Sequence, residues 1–345
     1  MSTEPFQAFV RLAQHAYSAG AQDLHLAPGQ PPRGRVDGVL APLPGPAFPS
    51  QDVSAIALQI FGRDVNQRLE RLGMVQRPLI LPLLSDGRCT VRVTLTRCAG
   101  QFSLSFRYLV ESDVTLTAAD LGVPEVLLPL LDSDTGLLVV AGPHASGKTT
   151  TLFALLEQVN RERDALLCTV EDPLDRVMEP VRALVQQREV GVDVADVATG
   201  IAAAVAQDAD VIGVSALSSL EGLTAALHAA ETGHLVLTQV HAESAQEALL
   251  RIVEATPESL HGLVRRALSQ SLLGVCFQRL LPRAPRGRVA AYQVLLPDEA
   301  LRRAILEGQP LGAGAPGSVE LAHQVAALVE RGQVRPEDAA AIRSR

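Results

Sequence analysis

One short stretch in the middle of the chain combines residue types and a spacing that bind phosphate. It reads Gly142-Pro-His-Ala-Ser-Gly-Lys-Thr149, which fits the phosphate-loop (P-loop) pattern G-x-x-x-x-G-K-[ST]. Backbone N–H groups of such a loop surround a phosphate at the N-terminus of a helix, where the helix dipole favours negative charge. We expect Lys148 to reach the β- and γ-phosphates of a nucleotide and the Thr149 hydroxyl to ligate Mg²⁺. The candidate nucleotide-binding residues are therefore Gly142, Pro143, His144, Ala145, Ser146, Gly147, Lys148, Thr149 and Thr150.

The elements that must hold this loop flank it directly. Residues 136–141 form an apolar run that predicts a buried parallel strand, and residues 150–159 have apolar positions at helical spacing. From residue 121 onward, strand patterns alternate with helix patterns, which is typical of a doubly wound parallel sheet. The sequence therefore predicts an α/β fold whose P-loop domain covers residues 121–307.

The region before the P-loop domain has a different pattern. Residues 1–110 predict a mixed α+β domain with helices over 6–18 and 52–71. Four short strands complete this domain, over residues 23–26, 34–37, 88–96 and 102–109. The last two strands alternate in polarity and predict a hairpin with one buried face. We assign 111–120 to a linker and 308–345 to a Gly/Pro-rich linker followed by C-terminal helices.

Composition excludes several other classes of protein. The 345 residues are enough for two domains. Because no stretch of about 18 apolar residues and no signal peptide is present, we expect a soluble protein that stays in the cytoplasm. The four cysteines are scattered, which argues against a disulfide framework or a zinc site. A net charge of −8, with 8 Phe, 3 Tyr and no Trp, argues against a nucleic-acid partner.

Several further motifs follow the P-loop in an order that resembles one family. The sequence is similar to the type IV pilus retraction ATPases, the PilT-like branch of the type II/IV secretion ATPases, over essentially the whole chain. The matching segments of the second half are Thr169-Val-Glu-Asp-Pro-Leu-Asp175 (Asp box), Gln187-Arg-Glu-Val190, Glu231-Thr-Gly-His-Leu-Val236 with His241 (His box), Gly287-Arg-Val-Ala-Ala291 and a degraded retraction motif at 300–307. Asp23-Leu-His-Leu26 and Arg35-Val-Asp-Gly38 match the N-terminal domain.

The resemblance implies a domain architecture, an oligomeric state and a cellular location. It implies an N-terminal PAS-like domain followed by a RecA-like P-loop domain, with ATP and Mg²⁺ bound at their junction. It also implies a hexameric ring, homomeric or shared with an active retraction ATPase. Such a ring is cytoplasmic and peripheral, and it acts on a platform protein of the inner membrane at the pilus base. The four-cysteine zinc module of the extension ATPases is absent, which favours the retraction branch.

One departure from the family concerns catalysis directly. After the Walker B strand the family has a glutamate that orients the attacking water, and this chain has Ala216, followed by Ser218 and Ser219 at the next family positions. Losing a positioned general base costs about 10²–10⁴ in rate. Asp208 and Asp210 open that strand, roughly 17–20 Å from the phosphates at its carboxyl end. They therefore cannot replace the glutamate.

The resemblance supplies four candidate catalytic residues. Glu171 matches the Asp-box glutamate and is positioned to hold Mg²⁺ or water, the alternative being that it only fixes a turn. Arg92 and Arg107 match two N-terminal arginines of the family that engage the γ-phosphate region, the alternative being solvated strand arginines. His241, with His234, matches the His box, which links the nucleotide to subunit contacts.

Two functions of different classes stay open from the sequence. The first is an ATP-binding subunit that hydrolyses weakly or not at all and joins a ring built by an active relative. The second is a slow hexameric retraction motor in which Glu171 partly replaces the glutamate missing at Ala216. The intact phosphate-binding residues beside the altered Walker B end favour the first for chemistry, and the pilus machinery is the context of both.

Overall fold

The computed structural model describes residues 4–36, 39–82, 88–109, 117–174, 176–217, 219–284 and 287–343. The chain divides into two compact units. The first consists of Met1–Val114 with Pro173–Val177, and the second of Thr115–Asp172 with Met178–Arg345. The linker predicted at 111–120 lies mostly outside the described residues, so the domain bounds taken from the sequence stay a prediction.

The first unit is an antiparallel sheet with helices packed on it. Its strands are β1 (Asp23–Leu26), β2 (Arg33–Val36), β3 (Val39–Pro42), β4 (Met74–Pro82), β5 (Arg88–Cys98) and β6 (Gln101–Leu109), and its helices are α1 (Glu4–Ser18), α2 (Ser50–Phe61) and α3 (Val65–Leu72). The strand order is β3-β2-β1-β6-β5-β4. Phe9 of α1 stacks on Phe106 of β6 with ring centroids 4.4 Å apart, which places the core between these helices and one face of the sheet.

The single helix predicted over 52–71 is wrong. The chain forms two helices there, because Gly62 adopts φ 89° and its N–H closes the last turn of α2 on the Leu58 carbonyl. A glycine in this conformation ends a helix without the steric cost that a Cβ would add. The predicted hairpin, in contrast, is confirmed as β5 and β6 paired antiparallel.

The second unit contains a seven-stranded sheet that carries the P-loop. Its strands are β7 (Gly136–Gly142), β8 (Leu166–Glu171), β9 (Leu184–Glu189), β10 (Val211–Val214), β11 (Leu235–His241), β12 (Leu272–Pro282) and β13 (Arg288–Leu295). The order is β13-β12-β7-β11-β10-β8-β9. Every pair is parallel except β12 with β13. The strands from β12 to β9 therefore all end at the same edge of the sheet.

Helices cover both faces of this sheet. They are α4 (Lys148–Glu162), α5 (Val197–Val205), α6 (Leu220–Glu231), α7 (Ala245–Glu254), α8 (His261–Ser271), α9 (Glu299–Glu307), α10 (Leu321–Glu330) and α11 (Pro336–Arg343), with 3-10 helices at Glu125–Asp132 and Glu258–Leu260. Successive side chains of β7 enter two different cores: Leu138 and Val140 pack with α4, whereas Leu137, Val139 and Ala141 pack with α5 to α8. This alternation confirms a mixed α/β fold in which a buried parallel sheet lies between two helical layers.

Within the described residues, no helix combines the length and the apolar character needed to cross a bilayer.

Candidate nucleotide site

The P-loop joins the carboxyl end of β7 to the first turn of α4. Gly142 ends the strand, and a Cβ there would lie 2.5 Å from the Gln278 carbonyl oxygen and 2.6 Å from Ser146 Oγ. Gly147 caps α4 in the left-handed conformation at φ 85°. Both ends of the loop therefore need glycine, one for close approach and one for backbone conformation. The fold forms locally because an apolar strand, a glycine-bounded turn and an apolar-striped helix follow one another directly.

A neighbouring strand holds this loop in place. Gln278 lies on β12, where its side chain is buried, and its Nε2 donates to the Ser146 carbonyl oxygen at 2.6 Å. Sequence reasoning missed this residue. The signal was a single amide side chain directly after the apolar run of β12, where a polar group needs a buried partner.

The polar atoms inside the loop fit a phosphate. Ser146 Oγ is buried and makes no hydrogen bond, and the Lys148 ammonium donates to the Pro143 carbonyl oxygen at 2.8 Å. Burial lowers the pKa of Lys148, and the negative charge of Glu243 acts in the opposite direction. A buried hydroxyl and a half-buried cation facing one turn are the groups that phosphate oxygens satisfy.

The candidate metal ligand Thr149 contacts a second residue that sequence reasoning missed. Its hydroxyl donates to Gln239 Oε1 at 3.2 Å, and Gln239 lies on β11 beside Val140 of the P-loop strand. No three His, Cys, Asp or Glu residues group as metal ligands in the described ranges. Mg²⁺ in such a site is held by one or two protein oxygens and by the nucleotide phosphates, so Thr149 fits that role.

Glu171 lies at the end of β8, on the same face of the sheet as α4. Its carboxylate accepts from Thr169 Oγ1 at 2.6 Å and from Gln187 Nε2 at 3.0 Å, while Oε2 is buried without a partner. Burial raises the pKa of Glu171 to about 7, although both hydrogen bonds lower it. Since β10 and β11 separate β8 from β7, Glu171 stands three strand spacings, roughly 14 Å, from the P-loop strand.

The end of the Walker B strand contains no charged side chain in its described part. β10 ends at Val214, and Ser215 Oγ accepts from the Asp172 N–H at 3.0 Å. Ser219 caps α6, since its hydroxyl accepts from the Gly222 N–H at 3.0 Å. Ser218 lies outside the described residues. Ala216 therefore lies between Ser215 and Ser219, and the hydroxyls of both serines accept hydrogen bonds from backbone N–H groups.

The two aspartates before this strand have structural positions. Asp210 precedes the first residue of β10, and its carboxylate accepts from the Leu166 N–H at 2.7 Å at the amino end of β8. Asp208 adopts φ 57° in the turn before it. Neither carboxylate lies at the P-loop edge of the sheet.

The two histidines of the His box lie at opposite edges of the sheet. His234 precedes β11, is buried, and places Nδ1 2.7 Å from the Ala209 carbonyl oxygen. It therefore does not lie at the P-loop edge, contrary to the role taken from the resemblance. His241 ends β11 directly opposite Gly142, so His241 is the one that borders the P-loop.

Arg92 and Arg107 belong to the first unit. They are direct neighbours across the β5–β6 ladder. Arg107 Nε donates to Asp23 Oδ1 at 2.8 Å, and this bond raises the pKa of the guanidinium. Asp23 also lies 3.9 Å from Arg35 Nε. Within its own unit Arg107 is thus part of an ion-pair cluster, and its role toward a nucleotide stays a prediction.

The strand, glycine-bounded loop and helix define a P-loop in a mixed α/β fold. The chain belongs to the type II/IV secretion system protein family, whose sequence model matches residues 7–305. It is 35% identical over 294 residues to the type IV pilus retraction ATPase PilT of Pseudomonas aeruginosa, covering 85% of this chain and 84% of that protein. The resemblance drawn from the sequence motifs is therefore confirmed.

Solved structures give the same result at the level of the fold. The crystal structure of the pilus retraction motor PilT with bound ADP superposes with a TM-score of 0.80 at 31% identity and covers 96% of both chains. The ATPase DotB of Legionella pneumophila superposes with a TM-score of 0.83 at 21% identity, covering 100% of this chain and 97% of that one. The second likeness is one of fold alone.

Proposed function

We propose that this protein is an ATP-binding, PilT-like subunit of a type IV pilus retraction machine that hydrolyses ATP weakly or not at all. One contrast supports the proposal. The P-loop keeps its glycines, its lysine and the hydrogen bond from Gln278 that holds it, whereas Ala216 occupies the position of the Walker B glutamate. Binding in the ground state depends on the first set of groups, and water activation in the transition state depends on the second.

The proposed roles of the site residues follow from their positions. The loop 142–150 binds the phosphates, with Lys148 as the charge that faces the β- and γ-oxygens. Thr149 holds Mg²⁺, which supplies charge neutralisation at those oxygens when it is bound. Arg92 and Arg107 are proposed to act on the γ-phosphate region, and His241 to link the nucleotide to subunit contacts, as the family resemblance implies.

The proposed setting is the one that relatives with this fold occupy. We assign the first unit to a PAS-like domain and the second to a RecA-like domain, with bounds at 1–110 and 121–307. The subunit joins a hexameric ring, alone or with an active retraction ATPase, and acts in the cytoplasm on an inner-membrane platform protein at the pilus base. Similarity to PilT over most of both chains supports this setting.

A second candidate function rests on one specific observation. Glu171 is a buried carboxylate with an unpartnered Oε2 and a pKa near 7, which are properties of a general base poised near neutral pH. In this alternative the protein is an active hexameric retraction motor that uses Glu171. Glu171→Gln would then abolish turnover, whereas in the preferred function it leaves a low rate unchanged.

A nucleotide titration and a steady-state ATPase assay on the same purified sample test the proposal. We expect ATP-Mg²⁺ to bind, Lys148→Ala to abolish binding, and turnover to lie far below that of active relatives assayed in parallel. Arg251→Ala, which removes an exposed cation from α7, is the matched control and should bind as the wild type does. Equal ATP affinity in the wild type and in Lys148→Ala would contradict the assignment of nucleotide binding to the P-loop.

A further inference from the structure

A carboxylate lies directly after the strand next to the P-loop strand. β11 runs parallel to β7 with His241 opposite Gly142, and the Ala242 N–H donates to the Gly142 carbonyl oxygen at 3.2 Å. Glu243 is the next residue and the first carboxylate after the end of this strand. The residue before it is thus bonded to the residue that opens the P-loop, and the Glu243 N–H itself donates to Glu247 Oε2 at 2.8 Å.

The side chain of Glu243 is fixed from the other side of the P-loop strand. Its Oε2 accepts from Arg279 Nη2 at 2.7 Å. Arg279 follows Gln278, whose amide holds the Ser146 carbonyl oxygen. Arg279 Nε is buried and has no hydrogen-bond partner. The ion pair therefore connects two segments, and in each of them the preceding residue, Ala242 or Gln278, hydrogen-bonds to the loop.

Glu243 stands at the same end of the sheet as the lysine of the P-loop. Lys148 begins α4 directly after the loop that follows β7, and Glu243 follows β11, the strand beside β7. A negative charge at this position acts on the phosphate oxygens that the Lys148 ammonium is proposed to face. Half of the Glu243 side chain is exposed, so water reaches it.

The other acidic candidates lie farther from the P-loop strand. β11 is the immediate neighbour of β7. β10, which leads into the loop that contains Ala216, is one strand beyond β11, and β8, which ends at Glu171, is two strands beyond it. Assuming that nucleotide binds at the P-loop as proposed above, we propose that Glu243 is the catalytic carboxylate of this chain and replaces the one missing at Ala216.

The proposed step is ordinary hydrolysis of the terminal phosphoanhydride. The oxygen of a water molecule bonds to the γ-phosphorus, and the bond from that phosphorus to the β–γ bridging oxygen breaks, its electron pair leaving with ADP. One water proton passes to the Glu243 carboxylate and from there to solvent. Glu243 is regenerated, and the products are ADP and inorganic phosphate.

Glu243→Gln tests this role, because the amide keeps the shape and the bond from Arg279 but cannot take a proton. We expect the residual kcat to fall at least tenfold, since a positioned base contributes about 10²–10⁴. We also expect the affinity ratio of ATP to ADP, measured by calorimetry, to rise about 3–10-fold because a negative charge near the γ-phosphate is removed. Glu254→Gln, an exposed change on α7, should alter neither quantity.

Each outcome decides between the two proposals. A wild-type rate equal to that of Lys148→Ala, or an unchanged rate in Glu243→Gln, overturns the role of Glu243 and leaves the ATP-binding function standing. If the ratio of ATP affinity to ADP affinity is unchanged in Glu243→Gln, the carboxylate does not lie near the γ-phosphate. The role of Glu243 is then overturned even if the ATPase rate falls. Absence of nucleotide binding in the wild type overturns the proposed function instead. Unchanged thermal unfolding of the variant shows that it folds.

Discussion

Gln278 and Ser146 join two segments that lie far apart in the sequence, through one short hydrogen bond of 2.6 Å from the Gln278 amide to the Ser146 carbonyl oxygen. The contact is buried, so water cannot replace it when the amide is lost. The conformation of the P-loop therefore depends on β12 as well as on its own glycines.

Replacing Gln278 by leucine should weaken both stability and nucleotide binding. The Ser146 carbonyl oxygen would lose its buried donor, which costs about 1–3 kcal/mol of unfolding free energy, and the loosened loop should bind ATP several-fold more weakly. Urea unfolding and an ATP titration measure the two effects. Gln270→Leu on the exposed end of α8 is the control, and equal ATP affinity in both variants would show that the bond does not shape the loop.

Restoring the Walker B glutamate should raise turnover. Ala216→Glu is expected to increase the ATPase rate at least tenfold with nearly unchanged ATP affinity, because it acts on water orientation rather than on the phosphate-binding groups. Ser218→Arg and Ser219→Asp are to be added in a second variant, since catalytic residues that act as a unit are not additive; aspartate keeps the cap of α6. Ala216→Gln is the matched control. A wild type as fast as active relatives would contradict the premise.

Glu171 should make stability depend on pH in a defined window. Its folded-state pKa of about 7 exceeds the ordinary 4.5, so between these values the folded chain binds more protons than the unfolded chain. Stability then declines as pH rises from about 4.5 to 7, by on the order of 3 kcal/mol. Glu171→Gln should remove this decline. The free energy of unfolding at pH 5 minus that at pH 8 measures this decline. An equal decline in the wild type and in the variant would contradict a raised pKa of Glu171.

Assembly into a ring should need the edge of the second sheet. Val181 and Leu184 are each 62% exposed near the edge strand β9, and exposed apolar side chains at a sheet edge are typical of a surface that another subunit covers. With ATP we expect a particle of six times the 36.6 kDa chain mass in mass photometry, and Leu184→Asp should shift it toward the monomer. Leu263→Asp, at a leucine that is 61% exposed on α8, is the matched control. A monomer under every condition, including with an active relative present, would argue against the ring.

The sequence predicted the parts of this structure that depend on neighbours along the chain. Residues 136–159 contain a strand, a loop and a helix whose periodicities and glycines are all local, and each of them is present. The break at Gly62 was missed because the apolar pattern continues across it, and only the backbone conformation of that residue ends the helix.

The residues that sequence reasoning missed at the site share a different property. Gln239, Glu243 and Gln278 lie on β11, directly after it, and on β12, and they reach the P-loop only because the strand order places β11 and β12 on either side of β7. Nothing in their local sequence specifies that order.

Lys148 is the only lysine in the sequence, and its half-buried ammonium has a lowered pKa. A lowered pKa leaves more of the amine unprotonated and nucleophilic near neutral pH, so an amine-acylating reagent has one side chain in the chain to modify. Peptide mapping by mass spectrometry then measures the acylated fraction of Lys148. In the proposed complex the nucleotide covers this amine, so the extent of acylation against ligand concentration is expected to give a binding curve without any label on the nucleotide.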